Sequence, residues 1–174
     1  RISGAAAMIA QRLEPQLRKK DGVLILPPTF KETRFQSEFS RAFASELSRQ
    51  LLQIGIENAN DVGLFRPQSS DYLTDLGKAS GSGAVLSGVY QVDEGEIRIA
   101  VEVTEVATRR KIAVSEARID TLATTRADLD VTPQNLEQAV RDAGVFADGE
   151  MLPAGLGLEI WTDRGSRSVI LEEG

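Results

Sequence analysis

Apolar residues recur along this chain with changing period, and each period predicts a different element. In "GAAAMIAQRLEPQLRKK", Ala5, Met8, Ile9 and Leu13 fall at helical spacing. Pro15 is expected to kink or restart that helix, because it removes a donor and crowds the preceding turn. "DGVLILPP" follows. Its unbroken apolar run Val23 to Leu26, closed by Pro27 and Pro28, fits a strand covered on both faces. "RFQSEFSRAFASELSRQLLQIG" carries the clearest stripe, with Phe35, Phe39, Phe43, Leu47, Leu51 and Ile54 on one side. Gly55 stands where a C-terminal cap would stop the helix. "IENAN" reads as a short strand, and Ser69 or Ser70 as the cap of a helix bearing Tyr72, Leu73, Leu76 and Ala79.

The pattern then changes to strands. Ala84 to Val92 is apolar on both faces, as a central strand would be. From Ile97 to Val103 the alternation is clean, with Ile97, Ile99, Val101 and Val103 on one side and Arg98 and Glu102 on the other. "DEGE" at 93–96 supplies the hairpin turn between the two. Lys111 to Ile119 returns through "TRR", and its apolar phase shifts from Ile112 and Val114 to Ala117 and Ile119. A bulge near Ser115–Glu116 is the expected cause. Beyond this, "TTRADLDV" reads as a linker. Thr132 and Pro133 open a helix carrying Leu136, Ala139, Val140 and Ala143, ended by Gly144. Two short strands around "DRGS" account for the tail. The order predicts an α+β fold: a mixed β-sheet with a three-stranded antiparallel meander and helices packed on it.

Composition narrows the chemistry. At 174 residues, one principal domain with a small appendage is expected, large enough to bury about 70% of its unfolded-chain surface. A net charge of −6 argues against nucleic-acid binding, and Arg18, Lys19 and Lys20 make too short a basic cluster to offset it. With no Cys there is neither a thiolate nucleophile nor a disulfide, and with no His there is no imidazole base. The commonest serine and cysteine protease arrangements are thereby excluded, and any metal site is limited to oxygen ligands. The chain opens on Arg1, so an upstream segment is expected, and a leader would lie there.

The stretch "GKASGSGAVLSG" has the ingredients of a phosphate loop in the wrong order. Lys78 precedes Gly81 and Gly83, a helix comes before the loop and a strand after it. Its amides do not converge at a helix N-terminus, so it reads as a helix-to-strand turn with Gly81 or Gly83 at positive φ. Lys78 is then a cation in a last helical turn, and Gly88 marks a close backbone approach inside a strand. Asp93, Glu94 and Glu96 read as a solvated hairpin tip rather than a carboxylate pair or calcium site. Asp61, Asp71 and Asp75 are explained by loops and a helix start. Ser80, Ser82 and Ser87 have no histidine, which leaves only a Ser-Lys pairing with Lys78. Trp161 reads as a core anchor, and the phenylalanine stripe as core. No catalytic, cofactor-binding or metal-binding residue is assigned, and no cofactor is expected.

"DGVLILPPTF" followed by a helix ending "LSRQLLQIGIENAN" resembles the opening of the domains found at the TolB amino terminus, in the curli transporter CsgG and in the flagellar outer-membrane protein FlgO. "LGKASGSGAVLSGVYQVDEGEIRIAVEVTEVATRRKIAVSEARI" is similar to their later strands, with Gly88-Val89-Tyr90 where that family has Gly-Thr/Ser-Tyr. The likeness covers about residues 5–123. "ATRRK" departs from the family's usual Thr-Gly turn. "LGLEIWTDRGSRSVILEEG" looks like the start of a β-rich domain of unknown function that follows such modules.

The resemblance implies a TolB N-terminal-domain-like or FlgO-like unit at 1–123, a linker and helix at 124–155, and a short β segment at 156–174. That segment docks on the main sheet or opens a further, truncated domain. It also implies a non-catalytic interaction or assembly module of a bacterial cell-envelope protein, periplasmic or outer-membrane-associated. Its partner would be an envelope protein or a second copy, and it would meet the membrane only through a lipoprotein anchor upstream of Arg1. Alternatives are a periplasmic domain binding a small ligand or glycan between sheet and helices, and a hydrolase using carboxylates or a Ser-Lys pair. The edge strand Lys111 to Ile119 offers a place for a partner strand. Lys111, Glu116 and Arg118 on it read more readily as charges that discourage such pairing.

Overall fold

The computed structural model describes residues 1–33, 35–57, 59–61, 70–133, 158–162 and 165–169. Helix α1 (Ile2–Leu17) leads into β1 (Val23–Ile25) and β2 (Thr29–Phe30). Helix α2 (Glu38–Gln53), β3 (Ala59–Asp61) and α3 (Ser70–Ala79) follow. The long strands β4 (Ala84–Asp93), β5 (Glu96–Glu105) and β6 (Lys111–Asp120) come next, then the short helix α4 (Thr121–Thr125). The sheet runs β3-β1-β4-β5-β6, with β2 also on β4. Pairings of β1 with β3 and β4 are parallel, and the β4-β5-β6 meander is antiparallel. The α+β expectation holds.

The unbroken apolar run of β1 has a two-sided reason. Val23 and Ile25 pack into the main core with α1 and α2, while Leu24 and Leu26 pack the other way, with Val85, Val106 and the α3 residues Leu73 and Leu76. On the main side, Phe39, Phe43, Leu47 and Leu51 line α2 as its stripe predicts. Burying each contributes about 2 kcal/mol. Ser37 caps α2 by accepting from Ser40 N, and the Ser40 hydroxyl accepts from Ser37 N in return. Gly55, at φ +86°, closes the other end.

Several local expectations are corrected. Helix α1 is not restarted at Pro15, which sits in its last turn. Its missing donor frees the carbonyl of Gln11, a residue exposed to water, and Leu13 and Leu17 on either side stay buried in the same core. The bulge lies at Ile112, not at Ser115–Glu116, because Val103 pairs with Ala113 while Thr104 pairs with Lys111. From Ala113 onward the phase is constant. Ser115 occupies an inward position, and this buried hydroxyl gave the sequence its false break. Val114 consequently faces out. Nor is β4 covered on both faces throughout, since Val89 is half exposed. The two-residue β2 escaped notice behind Pro27 and Pro28, yet pairs Thr29 with Val89 and Phe30 with Tyr90.

The DEGE turn is as expected, with Glu94 (φ 41°) and Gly95 (φ 86°) both left-handed, as a two-residue hairpin of type I′ needs. β7 (Leu158–Thr162) and β8 (Gly165–Val169) form their own hairpin, also as expected. The helix expected after Pro133, the cap at Ser69 and the environment of Trp161 lie outside the described residues. Residues 124–131, expected to be a linker, contact the main body. Phe39 N donates to Asp130 O, Asp130 N to a Glu38 carboxylate oxygen, and Val131 packs on the core.

Candidate interaction surface

Strand register decides what the meander shows to solvent. On the face away from α1 and α2, three rows cross β4, β5 and β6: Ser87–Glu102–Val114, Val89–Ala100–Glu116 and Gln91–Arg98–Arg118. Helix α3 covers only the neighbouring part, over β1 and the start of β4. Val89 is 50% exposed and Val114 58% exposed. Charges frame them. Lys111 pairs with Glu102 at 2.7 Å, and Arg98 lies 3.4 Å from Glu96 and 3.9 Å from Asp93. Arg118 shares Glu96 at 3.7 Å. A shallow cavity of about 680 Å³ crosses this face from Lys31 to the sheet edge, where Met8 and Arg12 of α1 meet Glu116 and Arg118. A smaller groove of about 330 Å³ runs beside α3 between Leu26, Leu73, Val89 and Lys111.

Strand β6 is the edge of the sheet, as the sequence suggested. Arg12 reaches across from α1 and its Nη1 donates to the Glu116 carbonyl at 3.1 Å. That bond fixes the direction of the backbone. The Glu116 carbonyl points away from β5, and by alternation so do the peptide groups of Val114 and Arg118.

The residues singled out for chemistry are dispersed. Gly81 takes the positive φ (+71°) of the turn after α3, and Lys78 is exposed in that helix's last turn. The Ser80 hydroxyl bonds the Gly77 carbonyl and the Ser82 hydroxyl, each at 2.9 Å, so these serines finish a helix. Ser87 lies on the open face, in the groove beside α3. Asp93 and Glu96 serve Arg98, and Glu94 belongs to the hairpin turn. Asp61 and Asp75 are exposed, and the Asp71 side chain lies outside the described residues. Among the described residues, no cluster of acidic side chains could hold a metal ion.

Sequence reasoning missed Gly77. A Cβ there would sit 2.6 Å from Val106 Cγ2 and 2.8 Å from Val85 Cγ2, so its absence lets α3 lie against the sheet. The signal was a glycine beside Leu76 on the apolar side of a helix. Gly77→Val is expected to cost about 2 kcal/mol in chemical denaturation by overpacking, with Lys78→Ala beside it within error of the parent. Equal losses for both would contradict this packing.

Tyr90 was also undervalued. Its ring packs edge-on to Phe30 and Phe39, with centroids 5.3 and 5.2 Å away. Its hydroxyl lies 2.7 Å from Ser37 Oγ and 2.6 Å from Val131 O. A carbonyl can only accept, so the phenol donates to Val131 and accepts from Ser37. Burial pushes its pKa up, against the lowering effect of the Ser37 and Ser40 hydrogen bonds. At the other end of the sheet, Lys20 and then Thr108 bond the Glu105 carboxylate and hold its pKa down.

The architecture so defined is a mixed sheet with one helical face and one partly open face, and solved bacterial domains share it. The LpoB C-terminal domain from Escherichia coli superposes with a TM-score of 0.54 and 12% identity, over 68% of this chain and 98% of that one. An NMR structure of Escherichia coli LpoB gives 0.51 and 15% identity, over 68% and 67% of the two chains. A lipoprotein from Neisseria meningitidis aligns at 0.41 with 14% identity, over 75% of this chain and 98% of that one. No family model and no curated protein matches the sequence. The TolB, FlgO and CsgG family expected from the sequence is therefore not shown, and the likeness is one of fold, to LpoB. No helix among the described residues is long and apolar enough to cross a membrane.

Proposed function

We propose that the chain is a non-catalytic interaction or assembly module of a bacterial cell-envelope protein, periplasmic or outer-membrane-associated, acting on a protein partner. The observation that carries this reading is the open face of the meander, where half-exposed Val89 and Val114 stand within a frame of paired charges. Such a mixture of apolar centre and polar rim is what a protein partner recognises. The shared fold with an LpoB domain supports the envelope setting. Residues 1–123 remain the module in this reading, with the following residues up to Val131 fastened to it and 156–174 either docking on the main sheet or opening a further β-rich unit.

A photocrosslinking side chain placed at Val89, at Val114 and, as a control, at exposed Leu52 on α2 tests the surface. Protein-sized adducts at the first two positions and none at Leu52 are expected. Turnover of a peptide or glycan substrate by the purified chain, lost on Ser87→Ala or Lys78→Ala, would overturn the non-catalytic reading. The groove beside α3 favours a second reading, a site for a small ligand or glycan. Saturable binding of peptidoglycan fragments, weakened by Lys111→Ala, would establish it.

A further inference from the structure

The edge of β6 carries a pattern that is complementary to itself. Its outward peptide groups belong to Val114, Glu116 and Arg118, and their side chains share the open face of the sheet. When two such edges pair antiparallel across a two-fold axis, outward residues must face outward residues, which leaves few registers. Centred on Glu116, the pairing sets carboxylate against carboxylate. Centred on Ser115, it sets Val114 against Glu116 and gives Arg118 no acidic partner. Centred on Ala117, it sets Glu116 against Arg118 of the second copy, twice, and Ala117 against Ala117 on the axis.

We propose that β6 is a self-association edge that joins two copies of this chain in the Ala117-centred register. The inference rests on reading the chain as an assembly module and names a second copy as its partner. Three observations carry it. Among the described residues, no strand pairs with the outer side of β6. Glu116 is exposed and makes no ion pair among the described residues, while Arg118 holds only a shared, long contact with Glu96. The seam residues on the helical side, Ala117 and Ser115, are small and buried, so no bulky side chain projects at the axis between the two copies.

Arg12 is the latch. In the isolated chain it occupies the Glu116 carbonyl, which the Arg118 amide of the second copy needs. Pairing therefore requires Arg12 to swing away, and this competition keeps a long edge from pairing indiscriminately. The charges on β6 discourage most strands and admit one. Glu116 and Arg118 thus act as selectors, and Lys111, already held by Glu102, takes no part.

Sedimentation from micromolar to near-millimolar protein tests this on the parent chain and on Arg12→Ala, Glu116→Arg, Arg118→Glu and the double exchange Glu116→Arg with Arg118→Glu. The parent is expected to form a weak dimer. Arg12→Ala should tighten it about thirtyfold, the effect of two freed hydrogen-bond acceptors, one on each copy. Each single reversal should abolish it by setting like charges together, and the double exchange should restore it. Amide exchange gives a second reading, since the Glu116 and Arg118 amides should become protected as concentration rises. A parent and Arg12→Ala that both stay monomeric would overturn the proposal, as would a dimer indifferent to the single reversals or not restored by the double. Crosslinks at Val89 in a chain that stays monomeric would sink this proposal alone and leave the assembly reading standing.

Discussion

Gly88→Val should be among the most damaging single substitutions in this chain, costing about 3 kcal/mol of stability. Gly88 lies inside β4 opposite Val101 of β5. A Cβ built on it would stand 2.5 Å from the Ala100 carbonyl oxygen and 3.4 Å from Val101 Cα. The obstacle is main chain, which cannot rotate aside as a side chain can. Relief would require β4 and β5 to separate locally, in the middle of the sheet. Gly88→Ala meets the same oxygen and should show much of the loss, whereas an effect confined to the branched side chain would contradict a backbone clash. Urea unfolding followed by circular dichroism measures the difference.

Tyr90→Ala is expected to cost about 4 kcal/mol, the usual penalty for emptying a large aromatic site in a packed core. Tyr90→Phe separates the ring from its hydroxyl and should cost about 1.5 kcal/mol, since the Val131 carbonyl and the Ser37 hydroxyl lose a buried partner. The two changes differ in pH dependence too. The pKa of Tyr90 is raised in the folded state, so its contribution is fully present below the unfolded tyrosine value near 10 and is lost as pH rises through the folded one. The parent should therefore weaken in alkali more steeply than Tyr90→Phe. Parallel curves above pH ~10 would show that the phenol is not held neutral by its site.

The sheet was legible because its signals were local. Unbroken apolarity in Val23–Leu26, clean alternation in Ile97–Val103 and the Glu94-Gly95 turn each specify geometry within a few residues. The bulge was misplaced because a buried serine, Ser115, looks polar and therefore outward to a period-two reading. Gly77, Tyr90 and Arg12 were hidden for another reason. Their importance comes from partners far along the chain: Val106 for Gly77, Val131 for Tyr90 and Glu116 for Arg12. The candidate surface was half legible. Sequence identified β6 as an edge, but only the register shows that Val89, Ala100 and Glu116 form one row across the open face.

The fastening of residues 130–131 has a mechanical consequence. Phe39 N holds Asp130 O, Glu38 holds Asp130 N, and Tyr90 holds Val131 O, all within the first turn of α2 and the core beneath it. A pull on the chain beyond Val131 would load these bonds before it reached α4 and β6. Such tension would pass into α2 through Phe39 and Glu38 and into β4 through Tyr90, and would reach the edge strand β6 last. Residues 130–131 would thereby shield the edge strand from such a pull.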